Sequence, residues 1–247
     1  AMWKQEARNR DVARQMELAP KTRVQDAWRN LAARPGMVRL LAVIGLGTFG
    51  FGMADVLLEP YGGQVLGLSV GQTTKLTALL AGGTLIGFGI ASRTLTRGGE
   101  PVRLAISGAL IALPGFAAIV LSSLIDTAVP FLLGTFAAGL GAGLFGLATL
   151  TATIRNAPNY LIGLSLGAWG AVQATCAGVG IALAGIVRDI VVVMPAFAGL
   201  PASTPYNLVF IIEMAFLALA ILVAIPLLLR GTRLKAVDAR SKPMEAP

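Results

Sequence analysis

The sequence predicts an all-α membrane protein, a polytopic bundle of six transmembrane helices, and three observations predict it. Apolar residues fill 55% of the 247 positions and charged residues only 13%, with a mean hydropathy of +0.76. Soluble domains carry about 25% charged residues, so this chain lacks the means to clothe a water-facing surface. Six apolar runs are long enough to cross ~30 Å of hydrocarbon, which takes about 20 helical residues. The basic residues gather on alternate sides of those runs.

The first 36 residues are a polar, charged stretch, unlike the apolar core of a cleavable signal peptide. The chain opens Ala1-Met2-Trp3-Lys4. Trp beside Lys resembles the water-side edge of a preceding helix, so a truncated or split polypeptide is expected. Within this linker, Lys21–Ala33 places Val24, Trp28 and Leu31 at i, i+4 and i+7 among charged residues. It reads either as a short amphipathic helix on the membrane surface, closed by Pro35-Gly36, or as a charged linker.

The predicted spans are Met37–Leu58, Gly71–Leu95, Leu104–Ile125, Pro130–Ile154, Leu161–Val187 and Leu208–Leu229. A buried β-sheet needs short runs broken by turns, and these are too long. Together they make a bundle over residues 37–229. Residues 230–247 form a tail expected to be disordered.

Orientation comes from the basic residues. Eighteen of the 20 Lys and Arg fall on one side: in the N-terminal stretch to Arg39, at Arg93, Arg97 and Arg103, at Arg155, and in the tail. Lys75 and Arg188 fall on the other. The positive-inside rule then places both termini in the cytoplasm. The net charge of +8 has the same origin, facing anionic lipid, and implies no nucleic-acid partner.

Several short motifs invite a chemical reading. Gly45-Leu-Gly47-Thr-Phe-Gly50 matches a dinucleotide fingerprint, but no βαβ unit follows to present it. The glycines instead suit close approach of a neighbouring helix. The same holds for the G-x-x-x-G pairs Gly83/Gly87, Gly139/Gly143 and Gly163/Gly167. Pro114 and Pro226 lie inside spans and are expected to shape or kink them.

Charges inside spans are few, because each costs about 2.5–3.5 kcal/mol at the bilayer centre. Asp55 and Glu59 close the first span, Lys75 opens the second, and Glu213 lies in the sixth, all near the non-cytoplasmic side. Asp55 and Glu59 share a helical face, with Pro60 ending that helix, and Lys75 is the candidate counter-ion. This cluster reads either as a contact for a proton, a cation, a pigment or a partner, or as a structural ion pair. Glu213 has no sequence neighbour to neutralise it.

With no histidine in the chain, histidine-based catalysis and histidine ligation of zinc or of a metalloporphyrin are excluded for it. There is no Walker loop, and no Ser or Thr has an evident base beside it, so an enzyme is not expected. The single cysteine, Cys176, lies in an apolar run and forms no intrachain disulfide.

Two stretches are more specific. One runs from Met53 through Asp55, Glu59-Pro60-Tyr61-Gly62-Gly63-Gln64 and Gly67 to Gln72-Thr-Thr-Lys75. The other runs from Arg155-Asn-Ala-Pro158 to Gly163-Leu-Ser-Leu-Gly167-Ala-Trp169-Gly170-Ala-Val-Gln173. Both resemble the PucC-type family, a branch of the major facilitator superfamily associated with bacteriochlorophyll and light-harvesting complex assembly in phototrophic bacteria. The loop Gly89-Ile-Ala-Ser92-Arg93-Thr-Leu-Thr-Arg97-Gly98-Gly99 is similar to the superfamily's loop signature, with Ser92 where an acid commonly stands.

The resemblance implies the second six helices of a twelve-helix fold, in the inner, photosynthetic membrane. It implies an assembly factor with no required cofactor, only transient bacteriochlorophyll contact. Its partners would be light-harvesting polypeptides and either the N-terminal half of the same fold or another membrane subunit. Glu213 would lie on a peripheral helix, facing a partner. The rival is a secondary transporter, whose cavity needs polar residues from spans one, two, four and five. Span four, from Pro130 to Leu150, offers only Thr135 and Thr149. Span five offers Ser165, Trp169, Gln173 and Thr175, of which Trp169 and Gln173 are the candidate cavity residues. So dry a lining favours apolar cargo or none, and a structural subunit of a larger membrane complex stays open as a third reading.

Overall fold

The computed structural model describes residues 28–241 except 30, 126 and 198, with side chains for all of these but 159 and 230–241. Seven α-helices, none accompanied by a strand among the described residues, make six membrane-length spans. The first span is α1 (Met37–Gly52) and α2 (Ala54–Gln64), which follow one another across Met53. It starts at Gly36, whose φ of 90° lets the chain turn out of the linker. Of the predicted amphipathic segment, residues 21–27 lie outside the described residues. Leu31 is buried and packs beside Met37 and Leu40.

The remaining spans are α3 (Val70–Thr96), α4 (Pro101–Leu124), α5 (Ala128–Asn156), α6 (Ile162–Val193) and α7 (Thr204–Ser241). Their boundaries follow local chemistry. The Gln72 side chain accepts from the Ser69 amide at 2.8 Å to open α3. Glu100 accepts from the Val102 and Arg103 amides ahead of Pro101 to open α4. Pro158 follows the end of α5.

Several boundaries differ from expectation: the fifth span runs to Val193 instead of Val187, the sixth begins at Thr204 instead of Leu208, and two further differences have a local cause. Pro60 does not end the first span, which continues to Gln64. Proline removes only one helical hydrogen bond, and the next turn is anchored by buried Tyr61. Residues 230–241, expected to be disordered, continue α7, since no proline stops the helix before Pro243.

Packing follows one rule applied twice. The fourth span (α5) packs against the second and third (α3, α4), and the first (α1) packs against the fifth and sixth (α6, α7). The two groups meet where α4 touches α7. Shifting every span by three reproduces this pattern.

Glycine makes the α3–α5 crossing possible. A Cβ on Gly83 would strike the Phe136 carbonyl, and one on Gly139 the Leu80 carbonyl; Gly87 and Gly143 meet Leu140 and Thr84 in the same way. Two of the predicted G-x-x-x-G pairs therefore face each other. The third does not, because Gly163 and Gly167 are exposed and open space surrounds them.

The largest core cluster centres on Tyr61. Its ring lies 5.1 Å from Phe131, 5.7 Å from Tyr206 and 5.5 Å from Phe210. Its hydroxyl donates to the Ile119 carbonyl at 2.9 Å and lies 3.1 Å from Ser122 Oγ. One residue thus joins spans one, three, four and six.

Candidate functional site

Spans one, two, four and five, with Phe116 of span three, enclose a cavity of about 470 Å³. Its wall is mostly apolar: Phe51, Leu80, Phe116, Ala138 and Phe145. The polar side chains on it are Thr48, Asp55, Thr84 and Gln173. Thr48, Gly52 and Asp55 are spaced by four and three residues, so one face of span one presents them in a line. The Thr48 hydroxyl is buried without a hydrogen-bond partner among the described residues, while the Thr84 hydroxyl is spent on the Leu80 carbonyl at 2.9 Å.

A second, more apolar hollow of about 620 Å³ adjoins this cavity, sharing Gly146 and Gln173 with it. Phe88, Gly89, Ser92, Leu147, Leu150 and Trp169 complete its wall. The Trp169 indole N–H donates to Thr149 Oγ1 at 3.4 Å, which turns the ring along the hollow. The result is a groove over α5, between α3 and α6, running from Asp55 toward the loop after α3. Trp169 and Gln173 both line it, as expected of cavity residues. Thr48, Thr84 and Gly146 also line it and were not singled out from sequence. Thr48 lies two helical turns before Asp55, and Gly146 one turn beyond Gly143, so both could have been found by spacing.

The charged cluster is assembled differently from expectation. Glu59 accepts a hydrogen bond from Thr77 Oγ1 at 2.7 Å. Among the described residues no ion pair within 4 Å joins Lys75 to Asp55 or Glu59. Lys75 is exposed, and Thr77 on the same helix takes the carboxylate instead. Asp55 and Glu59 do share one helix, but Asp55 reaches the cavity wall and Glu59 reaches α3.

Glu213 is a clear correction. Its relative exposure is 0%, so it faces the interior of this chain and not a partner helix. Gly50 lets α7 approach α1, with the Glu213 carbonyl 3.1 Å from where a Cβ would stand. The carboxyl group lies within electrostatic reach of the Ala54 amide and of Asp55, beside the interruption at Met53. Neither of its oxygens has a hydrogen-bond partner among the described residues.

The loop after α3 is held by a residue known from sequence only as part of a motif. Arg155 donates to the Gly99 carbonyl at 3.0 Å and to the Leu95 carbonyl at 3.1 Å. Gly98, at φ 84°, makes the left-handed turn that exposes those carbonyls. Arg93 and Arg97 are exposed around it, and Gly89 lies on the wall of the groove.

The fold and groove can be set beside known proteins. Residues 1–232 match the family described as PUCC protein. The chain is 62% identical over 235 residues to Protein PucC of Rhodobacter capsulatus, covering 94% of this chain and 51% of that protein. It is 52% identical over 228 residues to Protein PucC of Cereibacter sphaeroides, covering 92% and 49%. A more distant relative is the bacteriochlorophyll synthase 44.5 kDa chain of Rhodobacter capsulatus, 29% identical over 205 residues, covering 76% and 44%. The chain thus spans about half the length of the curated relatives it matches. A match along nearly the whole sequence, carried by a multi-pass helical bundle, establishes that the chain belongs to the PUCC protein family.

Proposed function

We propose that this chain acts in the assembly of bacterial light-harvesting complexes, handling antenna polypeptides and bacteriochlorophyll within the photosynthetic inner membrane. The observation that carries the reading is the groove over α5. Its wall is apolar, with Thr48, Asp55 and Gln173 as isolated hydrogen-bonding groups, and this suits a guest that is mostly hydrocarbon with a few polar atoms. Asp55 and Gln173 offer such a guest hydrogen bonds. The distant relative's printed name supports a pigment as that guest. Contact is transient and no bond chemistry is performed by this chain. Both termini lie in the cytoplasm, as the distribution of basic residues favours.

The packing pattern that repeats after three spans supports a major facilitator architecture, in which the groove faces the other half of a twelve-helix protein. That repeat also favours a second reading, a secondary transporter of an apolar solute, with the groove as half of its pathway.

The test is pigment binding by the purified protein. Added bacteriochlorophyll should show a shifted, saturable absorption band. Gly146→Leu should abolish it by filling the groove, since a Cβ there meets only Phe88 at 3.7 Å and the helix packing survives. A band unaffected by Gly146→Leu would place the pigment elsewhere and remove the groove from the account.

A further inference from the structure

A pocket of about 350 Å³ opens at the end of the bundle opposite Arg155, where α2, α6 and the start of α7 meet. Its wall includes Gln64, Arg188, Phe197, Leu200, Pro201 and Tyr206. Arg188 is one of two basic residues at this end, so its charge is not part of the dense basic zone. The guanidinium carbon stands 5.6 Å from the centre of the Tyr206 ring, which fixes the plane of the group. Its NH1 lies 3.2 Å from Asp189, whose side chain is 71% exposed and is not on the pocket wall. Its Nε is buried and has no hydrogen-bond partner among the described residues.

Gln64 adds a second donor. Its Oε1 accepts from the Tyr206 hydroxyl at 2.6 Å, which orients the amide and leaves its N–H groups for another acceptor. The two polar side chains held in place here therefore offer donors, and the acceptor of Gln64 is already used. A guest that completes the site brings acceptor oxygens, and a phosphate suits the cationic guanidinium best. Apart from Thr204 the remaining side chains on the wall are apolar, and Val192 and Val193 continue an apolar surface along the exposed face of α6 at 63% and 78% exposure. A guest with an oxyanion at one end and hydrocarbon at the other fits both features.

We propose that this pocket binds the phosphate of a membrane phospholipid, with Arg188 and Gln64 donating to the phosphate oxygens and the acyl chains lying along α6. Arginine suits this task because its guanidinium is always charged and its terminal N–H groups donate to phosphate oxygens in a fixed plane.

The experiment is native mass spectrometry of the delipidated protein in detergent, with three probes. These are phosphatidylglycerol, diacylglycerol with the same acyl chains, and inorganic phosphate as competitor. The wild type should retain one phosphatidylglycerol that Arg188→Gln loses, with binding weakened about ten-fold or more, as expected for one charge-assisted hydrogen-bond site. Diacylglycerol should not bind there, and millimolar phosphate should not displace the lipid. Arg188→Lys keeps the charge but lacks the planar guanidinium, and Gln64→Leu removes the second donor. Each should weaken binding several-fold, and they serve as the test if Arg188→Gln does not fold. Equal retention of phosphatidylglycerol by wild type and these variants, or equal binding of diacylglycerol, overturns the proposal. Full displacement by phosphate also overturns it, by making the guest a free ion.

Discussion

The Arg155 guanidinium reaches the Gly99 carbonyl at 3.0 Å, tying the end of α5 to the turn between α3 and α4. Its second bond, at 3.1 Å, is to the Leu95 carbonyl in the last turn of α3, which the Gly98 amide also reaches. The geometry is a fork spanning two acceptors, which a lysine cannot reproduce. Both Arg155→Lys and Arg155→Gln should therefore lower thermal stability in detergent, each by roughly 1 kcal/mol, the usual net worth of such bonds at a partly exposed site. They should also speed proteolysis in the turn near Gly98. Full stability in Arg155→Lys would mean that charge alone matters here.

Gly139 and Gly163 look alike in sequence and should behave oppositely. A Cβ on Gly139 would collide with the Leu80 backbone, which cannot swing aside, so Gly139→Ala should cost several kcal/mol, on the scale of core overpacking or more. Gly163 has nothing within 4 Å of that position. Gly163→Ala should be neutral or slightly stabilising, because alanine favours the helix by roughly 1 kcal/mol. Thermal melts of the two variants in one detergent decide it.

How much of this was legible follows from such pairs. Six spans could be read because each is a continuous apolar run whose length matches the bilayer. Trp169 and Gln173 are among four polar side chains of span five, and both lie on the groove wall. The identity of the guest side of each glycine could not be read, since G-x-x-x-G states only that a close approach is allowed. The ionic pairing failed for a related reason. Sequence puts Lys75 near Asp55 and Glu59, but the rotation of α3 presents Thr77 to Glu59. The inward aim of Glu213 was equally hidden, because it depends on α7 packing across Gly50.

A double-mutant cycle follows from that rotation. Glu59→Gln and Thr77→Val should be coupled by about 0.5–1 kcal/mol, the range expected for residues sharing one hydrogen bond. Glu59→Gln and Lys75→Met should be additive. Stability in detergent is the readout, and coupling in the second pair with none in the first would contradict the arrangement of α2 on α3.

Glu213 is buried, and among the described residues its carboxyl oxygens have no more than a weak contact with the Ala54 amide. Replacing an unsatisfied buried polar group by an apolar one of similar size is neutral or stabilising. Glu213→Leu should therefore retain or raise the melting temperature, with Glu213→Gln close to wild type. A loss of several kcal/mol in Glu213→Leu would show that the carboxyl group holds the span-one interruption together.

The central claim is that the protein assembles antenna complexes and does not make their pigment. Its most direct test is a deletion in the native phototrophic host, with the antenna absorption band measured against total extracted bacteriochlorophyll. The account predicts that the antenna band falls while the extracted pigment is chemically unchanged bacteriochlorophyll and its synthesis remains competent. A strain that accumulates a pigment precursor in place of bacteriochlorophyll, or one whose antenna band is unchanged, would contradict it.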